Sequence, residues 1–428
     1  MERYGLSQRG AANVEAIWPR IENAVAERER LEDPCIDMAT SENWLLRDEL
    51  IQLYKDAIRE NFFGKHLSYP NGFAGDQDLL DAIEKFFNSY FNPRIPVARE
   101  HIATAPGAAF SLDALLYNIG EAGDGLLITT PAWNGFDWLI KVKSGIHPVF
   151  VTIACFEDIF TPKLIQALED AFDQSPYPIK GLLFTNPNNP FGQAYPKETI
   201  VEIIKWCDKR KIHLISDEIY ALSKFPNPDL PDPVPFISLL EIDIVELGCD
   251  LSRMHTIWSI SKDLGSSGLR MGCCITQGNR PLATGMSLAS NTQMSSLTAI
   301  ATTSLLLSPE LPRLLKLNSQ RLTEAYVQLT TLLRARGLRW IPANMGPFIL
   351  VKVAPSAKTW EDEAAVIQAC KGFGVSLSLG RGYHGPESEK GWARLNFALA
   401  PGQLTEALRR LSLGLDSVTQ QGVSTQVV

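Results

Sequence analysis

Between His101 and Ile275 the chain alternates short apolar runs with helical stretches, and no other feature constrains the fold as much. The runs are His101–Thr104, Gly125–Ile128, His147–Val151, Gly181–Phe184, Ile212–Ile215, Met254–Trp258 and Gly272–Ile275. Helical stretches such as Phe110–Tyr117 and Lys197–Lys209 lie between them. Runs this continuously apolar need cover on both faces. The alternation therefore predicts an α/β fold: a large domain with a mostly parallel sheet covered by helices on both faces. Ligands of such sheets bind beyond the carboxyl ends of the strands, so the loops after each run are where chemistry is expected.

The remaining chain arranges itself around that unit. Residues 1–40 read as an N-terminal arm, with Ile17, Ile21 and Val25 on one helical face and a charged run from Glu27 to Glu32. An arm like this has little of its own to pack against, and is expected to fold over the body or a neighbouring subunit. A short apolar strand then leads into the polar turn Ala39–Asn43. Residues 41–100 read as the first part of a small domain with linking helices, broken by an irregular loop at Leu67–Gly75. Leu79, Leu80, Ile83, Phe86 and Phe87 mark the apolar side of the next helix. The large domain spans 101–308. From 309 to 415 a long interdomain helix, Pro309–Gly337, precedes an α+β small domain. Its strands fall at Phe348–Val351 and Ala393–Phe397, and its helices at Trp360–Cys370 and Gln403–Leu413. The tail 416–428 is rich in Gln, Ser and Thr and is expected to be disordered.

Composition narrows the partners. A chain of 428 residues, 45% hydrophobic and 21% charged, buries a large core. Its net charge is −8 and it has no basic block, which argues against nucleic acid. The seven cysteines are scattered, odd in number and without zinc-site spacing, so neither a metal site nor a disulfide framework is expected. The N-terminus has no apolar signal region, and the apolar run near Leu305 is too short to span a bilayer. The expectation is a cytoplasmic protein that does not enter membranes.

The loops carry the chemistry. Ser259-Ile-Ser-Lys-Asp-Leu-Gly-Ser-Ser-Gly-Leu-Arg270 follows the Met254–Trp258 run. Lys262, just past a buried strand end, suits carbonyl chemistry because desolvation disfavours the ammonium and frees the amine. Ser259, Ser261 and Arg270 suit a phosphate held close to that amine. The plain alternative is a solvated loop lysine. After Thr104, Ala105-Pro-Gly-Ala-Ala109 opens a helix with small residues, so that the N–H groups of Ala108 and Ala109 can approach an anion. Trp133 either stacks on a ring or is a rim aromatic. Asn189, in Thr185-Asn-Pro-Asn-Asn-Pro190, can donate to a phenolic oxygen. Asp217, in Ser216-Asp-Glu-Ile-Tyr220, ends a buried run, where a carboxylate is costly unless paired. A pyridinium nitrogen would pair it, while the plain alternative is a helix cap; Tyr220 lies within reach of the ring oxygen. Arg394, among apolar strand residues, calls for a carboxylate partner, which a substrate can supply.

Together these motifs resemble the fold-type I pyridoxal phosphate (PLP) enzymes of the class I/II aminotransferase family over roughly residues 35–415. Within it the chain looks most like the 1-aminocyclopropane-1-carboxylate synthase branch, through Ser41-Glu-Asn43, Gly135-Phe-Asp137, Lys180–Pro190 and Ser261–Gly265. The resemblance implies PLP bound covalently to Lys262, which is also the general acid/base. It places Asp217 at the ring nitrogen, Asn189 and Tyr220 at the ring oxygen, and Trp133 on the ring. Ser259, Arg270, Ala108 and Ala109 hold the phosphate. Arg394 takes the α-carboxylate of an amino-acid substrate, Glu42 lies near that substrate, and two copies form a homodimer. Glu42 as a helix-start residue is the plain alternative.

The chain departs from the family at three places. Phe73 stands where the family has a tyrosine reaching the neighbouring subunit, with Tyr69 four residues earlier. Ala109 replaces a threonine, and an aromatic pair is reduced to Ala132-Trp133. The leading expectation is a lyase or γ-substituting enzyme using S-adenosylmethionine or a similar γ-activated amino acid. An aminotransferase comes second, and a non-catalytic PLP-binding regulator third.

Overall fold

The computed structural model describes residues 4–30, 35–70, 72, 74–290 and 293–424. Among them, thirteen strands form three sheets. In chain order these are β1 (Ile36–Asp37), β2 (Ile102–Ala105), β3 (Gly125–Thr129), β4 (His147–Val151), β5 (Ile179–Thr185), β6 (His213–Asp217) and β7 (Met254–Ser259). They continue with β8 (Gly272–Ile275), β9 (Trp340–Ile341), β10 (Phe348–Val351), β11 (Val375–Ser376), β12 (Ser378–Leu379) and β13 (Ala393–Asn396).

The central sheet has seven strands in the order β2-β8-β7-β6-β5-β3-β4. All seven expected runs are in it, each within a few residues of its expected bounds. The pairs β4/β3, β3/β5, β5/β6 and β6/β7 are parallel, and only β8 runs against its neighbours. β2, β3, β7 and β8 are buried along their whole length, as a sheet covered on both faces requires. On one face the helix Gln77–Tyr90 presses Phe86 and Phe87 onto Trp258 of β7, with the Phe86 and Trp258 ring centroids 4.6 Å apart. Burial of each such ring contributes ~2–3 kcal/mol. On the other face Leu112, Leu115 and Leu116 of the helix Ala108–Ile119 pack over Ile128, Ile215 and Ile257.

The second body is a four-stranded sheet, β12-β13-β10-β9, covered by the helices Leu311–Ala335, Trp360–Gly372 and Gln403–Ser424. β1 pairs in parallel with β11. The segment just before Ala39 is thereby built into this C-terminal body rather than left in the arm. The arm is the helix Gln8–Arg30, tied to the large body by the Asn13 side-chain amide, which donates to the Val142 carbonyl at 3.1 Å. Trp18, Ile21 and Val25 on it are exposed.

The tail corrects an expectation. The last helix runs through Ser424, so 416–424 is helical, while 425–428 lies outside the described residues. Leu408, Leu411 and Leu415 are buried at helical spacing and carry the helix past Asp416, whose carboxylate accepts from Arg336 at 2.9 Å. The polar residues that look unstructured in sequence are a continuation of that amphipathic helix. No helix among the described residues is long and apolar enough to cross a membrane, and none of their His, Cys, Asp and Glu side chains form a metal-binding cluster.

Candidate active site

Parallel strands deliver their following loops to one edge of the sheet. There a cavity of about 470 Å³ collects residues from the ends of β2, β3, β5, β6 and β7, together with Ala39–Ser41 and Arg394. It is lined by Ala108, Ala109, Trp133, Asn189, Asp217, Tyr220, Ser259, Lys262, Arg270 and Arg394. Of the site residues expected from sequence, only Glu42 is missing from the lining.

Asp217 ends β6 and is buried. No helix follows it, since the chain turns at Ile219–Tyr220, so the helix-cap alternative falls. Its Oδ2 accepts from Thr185 Oγ1 at 3.3 Å, because the β5/β6 register places Thr185 opposite Asp217. Its Oδ1 is buried without any hydrogen-bond partner. Burial pushes the carboxyl up to about 7, with the Ile219 amide, Thr185 and the Lys262 charge acting the other way. A buried carboxylate with a vacant oxygen is a seat for a cationic N–H.

Lys262 sits in the short helix Ile260–Asp263, whose first turn is capped by Ser259 Oγ accepting from the Ser261 N–H at 3.2 Å. Its Nζ donates to the Ser41 carbonyl at 2.5 Å. Burial brings the amine down to about 8, and the Arg394 guanidinium adds to that, against Glu42 and Asp217. Near neutral pH the amine therefore spends part of its time unprotonated, as a nucleophile or proton acceptor must. Tyr220 is fully buried, and its hydroxyl lies 2.9 Å from Ser41 Oγ.

The opposite end of the cavity is an anion cradle. Gly107, at φ +89°, turns the chain from β2 into the helix Ala108–Ile119. The positive φ favours glycine there, and a Cβ would also displace the Arg270 guanidinium. Arg270, itself at φ +55°, is fixed by donating to the Ser267 carbonyl at 2.7 Å and the Pro106 carbonyl at 3.0 Å. The first N–H groups of the helix have no carbonyl of their own helix to bind. Ala108, Ala109, Ser259 and Arg270 all line the cavity, where these N–H groups, hydroxyl and guanidinium could hold a phosphate.

Arg394 comes from the second body. β13 points it into the cavity, where Nη1 donates to Asn189 Oδ1 at 2.9 Å and Nη2 to the Ala39 carbonyl at 2.5 Å. It lies over the rings of Phe348 and Tyr383. Its buried Nε has no hydrogen-bond partner, and no carboxylate among the described residues is paired with it. The second body is seated by the loop Gly380–Gly385: the Ala132 N–H donates to the Tyr383 carbonyl at 2.9 Å, and His384 Nε2 lies 2.7 Å from Asp137 Oδ1. His384 also stacks on Phe150, with centroids 3.7 Å apart.

Two residues singled out from the sequence lie off the lining or outside the described residues. Glu42 does not face the cavity. Its carboxylate accepts from Arg47 at 3.1 Å and from Ser267 Oγ at 2.7 Å, one layer behind the lining. Arg47, five residues along the chain, pairs with that carboxylate, and the Glu42 charge still acts on Lys262. The comparison of Tyr69 with Phe73 rests on a residue outside the described ones, because Phe73 is not among them; Tyr69 is exposed.

The sequence reading also passed over Ser41, Thr185 and Asp263. Asp263, next to the lysine, is fully buried and accepts from Ser223 Oγ at 2.6 Å and the Trp258 indole N–H at 2.9 Å. That pair of bonds anchors the turn that aims Lys262. Its position beside Lys262 was the available signal, whereas Thr185 and Ser41 become visible only through sheet register and chain crossing.

Comparison with known proteins agrees with this geometry. The profile of the family "Aminotransferase class I and II" matches residues 33–411. The probable aminotransferase aclI of Aspergillus oryzae is 55% identical over 407 residues, covering 95% of this chain and 97% of that one. The 1-aminocyclopropane-1-carboxylate synthase 1 of Oryza sativa subsp. indica is 31% identical over 368 residues, covering 84% and 74%. Among solved structures, aspartate aminotransferase from Thermus thermophilus with maleate superposes with a TM-score of 0.75 at 20% identity, covering 96% of this chain and 99% of that one. The chain therefore belongs to the class I and II aminotransferase family and is a pyridoxal-phosphate-dependent enzyme.

Proposed function

We propose that the cavity holds PLP with Lys262 bonded to its aldehyde carbon, Asp217 at the ring nitrogen, Asn189 and Tyr220 at the ring oxygen, and Trp133 against the ring. Ser259, Arg270 and the N–H groups of Ala108 and Ala109 take the phosphate. Arg394 takes the carboxylate of an α-amino acid. The observation that carries this reading is a pair of buried vacancies across one cavity: Asp217 Oδ1 lacks a donor, and Arg394 has no carboxylate. PLP supplies an N–H to the first, and an amino acid supplies an anion to the second. When bound, PLP withdraws electrons from the substrate α-carbon. Once the substrate amine had displaced Lys262 from the cofactor, the freed amine, brought down to about 8, would accept the α-proton and return it elsewhere.

For the substrate we propose an α-amino acid without a second carboxylate; with a leaving group on its side chain the enzyme acts as a lyase or γ-substituting enzyme, the reading favoured by the 31% identity to a 1-aminocyclopropane-1-carboxylate synthase. Three cationic side chains line the cavity, Lys262, Arg270 and Arg394, and each already has a task. None remains among the described lining residues for the second carboxylate of a dicarboxylic amino acceptor. Leu112, Phe136 and Leu139 form an apolar wall instead. The second reading is amino-group transfer, favoured by the 55% identity to a protein named a probable aminotransferase.

One experiment separates these readings. The loaded enzyme is incubated with S-adenosylmethionine, with uncharged γ-substituted amino acids, and with common amino acids plus a 2-oxo acid, and the products are identified by mass. Release of the γ-group with the cofactor unchanged supports the lyase reading. Formation of a new amino acid from the oxo acid, with inert γ-substituted substrates, establishes transamination in its place.

A further inference from the structure

Ser41 touches two groups at once. Its main-chain carbonyl accepts from Lys262 Nζ at 2.5 Å, and its hydroxyl lies 2.9 Å from the Tyr220 hydroxyl. It lines the cavity and is buried. The backbone around it is fixed by side chains of β13: the Asn396 amide donates to the carbonyls of Thr40 and Glu42, both at 2.9 Å, and Arg394 donates to that of Ala39. Ser41 is thus held against the Tyr220 hydroxyl by the body that also supplies Arg394.

We infer that Ser41 is a positioning residue that acts through Tyr220, its hydroxyl donating to the phenol oxygen so that the single phenol hydrogen is presented to the cofactor ring oxygen. This rests on the proposed seating of PLP with Tyr220 at that oxygen. A phenol has one hydrogen to donate. If that hydrogen faces the ring, the Ser41 contact has to run from serine to tyrosine. A phenol that accepts a hydrogen bond becomes a stronger donor in turn. The Tyr220 hydroxyl then stabilises negative charge on the ring oxygen and competes with the proton held at the Lys262–cofactor nitrogen, which is released at lower pH. The pull of Ser41 on the Tyr220 phenol, downward against the upward push of burial, agrees in direction. Arg394, Asp217 and Tyr383 also act on Tyr220. They are common to every variant below and drop out of the comparison.

The test is a visible-absorbance pH titration of cofactor-loaded protein, reading the midpoint at which the Lys262-bound cofactor changes colour. Side-chain changes at Ser41 leave its carbonyl in place. Ser41→Ala should raise the midpoint by about half a unit to one unit, the size of one neutral hydrogen bond. Ser41→Thr, which keeps the hydroxyl, should restore it. Tyr220→Phe should raise the midpoint further, and adding Ser41→Ala to Tyr220→Phe should change nothing more. An equal shift from Ser41→Ala with and without the Tyr220 hydroxyl overturns the inference, because the serine then acts without the tyrosine. So does a normal midpoint in Ser41→Ala. A normal midpoint in Tyr220→Phe alone removes the seating of Tyr220 at the ring oxygen, and the inference with it.

Discussion

Replacing Asp217 by asparagine should strengthen the cofactor-free protein and weaken its hold on the cofactor. In the free protein Asp217 is a buried carboxylate with one weak side-chain donor, Thr185 at 3.3 Å, and an Oδ1 without a partner. Burial lifts it from the ordinary 3.8 to about 7. Because the folded state holds the proton more tightly than the unfolded state, its stabilising contribution is complete below pH 3.8 and is lost as pH rises to 7. At pH 8 the loss is about 4 kcal/mol, from 1.36 kcal/mol per pH unit. At pH 5 it is only about 1.5 kcal/mol by the same rule. Asparagine removes the charge but leaves an under-bonded polar group, which costs ~1–2 kcal/mol at any pH. The cofactor-free variant should therefore exceed the parent by about 2–3 kcal/mol at pH 8 and match it near pH 5. Glu218 and Asp263, also lifted to about 7 by burial, are present in both proteins and cancel. Urea unfolding of cofactor-free protein at the two pH values measures this. Equilibrium titration with PLP should show binding weaker by about 10–100-fold, the loss of one charge-assisted bond. Turnover should fall by about 10²–10³-fold. An asparagine variant that is less stable than the parent at pH 8, or that binds PLP equally well, would falsify the assignment and leave Asp217 a structural residue.

Borohydride reduction of loaded protein followed by peptide mapping should place the pyridoxyl group on Lys262. Lys262→Ala should lower turnover by about 10²–10⁴-fold, and a label on another lysine refutes the role. Arg394→Lys keeps the charge but loses the planar fork, so kcat/KM should fall about 10–100-fold, mostly through KM; an unchanged KM removes Arg394 from substrate binding. His213 and His255 share a 2.9 Å contact on β6 and β7, and burial keeps both imidazoles neutral, holding His213 down to about 4. The stability they contribute is complete above pH 6.5 and is lost as pH falls toward 4, so a His213→Gln variant should lose less stability than the parent over that window in urea unfolding. Sedimentation is expected to give a homodimer, in keeping with the exposed Phe62, Phe63, Leu67 and Tyr69 around the irregular loop; a fully active monomer would contradict this.

The sequence by itself determined the layered sheet and most of the residues that gather at one edge of it. Seven apolar runs too hydrophobic to face water on either side leave few alternatives to a covered parallel sheet. In such a sheet Lys262, Asp217, Asn189 and Trp133 need only stand just after their runs to share one edge. Arg394 was legible because a guanidinium between Ala393 and Leu395 on an apolar strand lacks a local partner. Contacts between segments far apart in the chain were decided only by the tertiary structure. Register set Thr185 against Asp217, and the crossing of Ala39–Glu42 over the sheet edge set Ser41 against both Tyr220 and Lys262. The direction of Glu42 was hidden for the same reason: its motif shows a carboxylate near the site, but where it points depends on Arg47 and on Ser267, which folds back from 225 residues away. Residue type and spacing specify which groups reach the edge of a sheet. Which of them face one another there is a matter of packing between elements, and that has no signature in either segment alone.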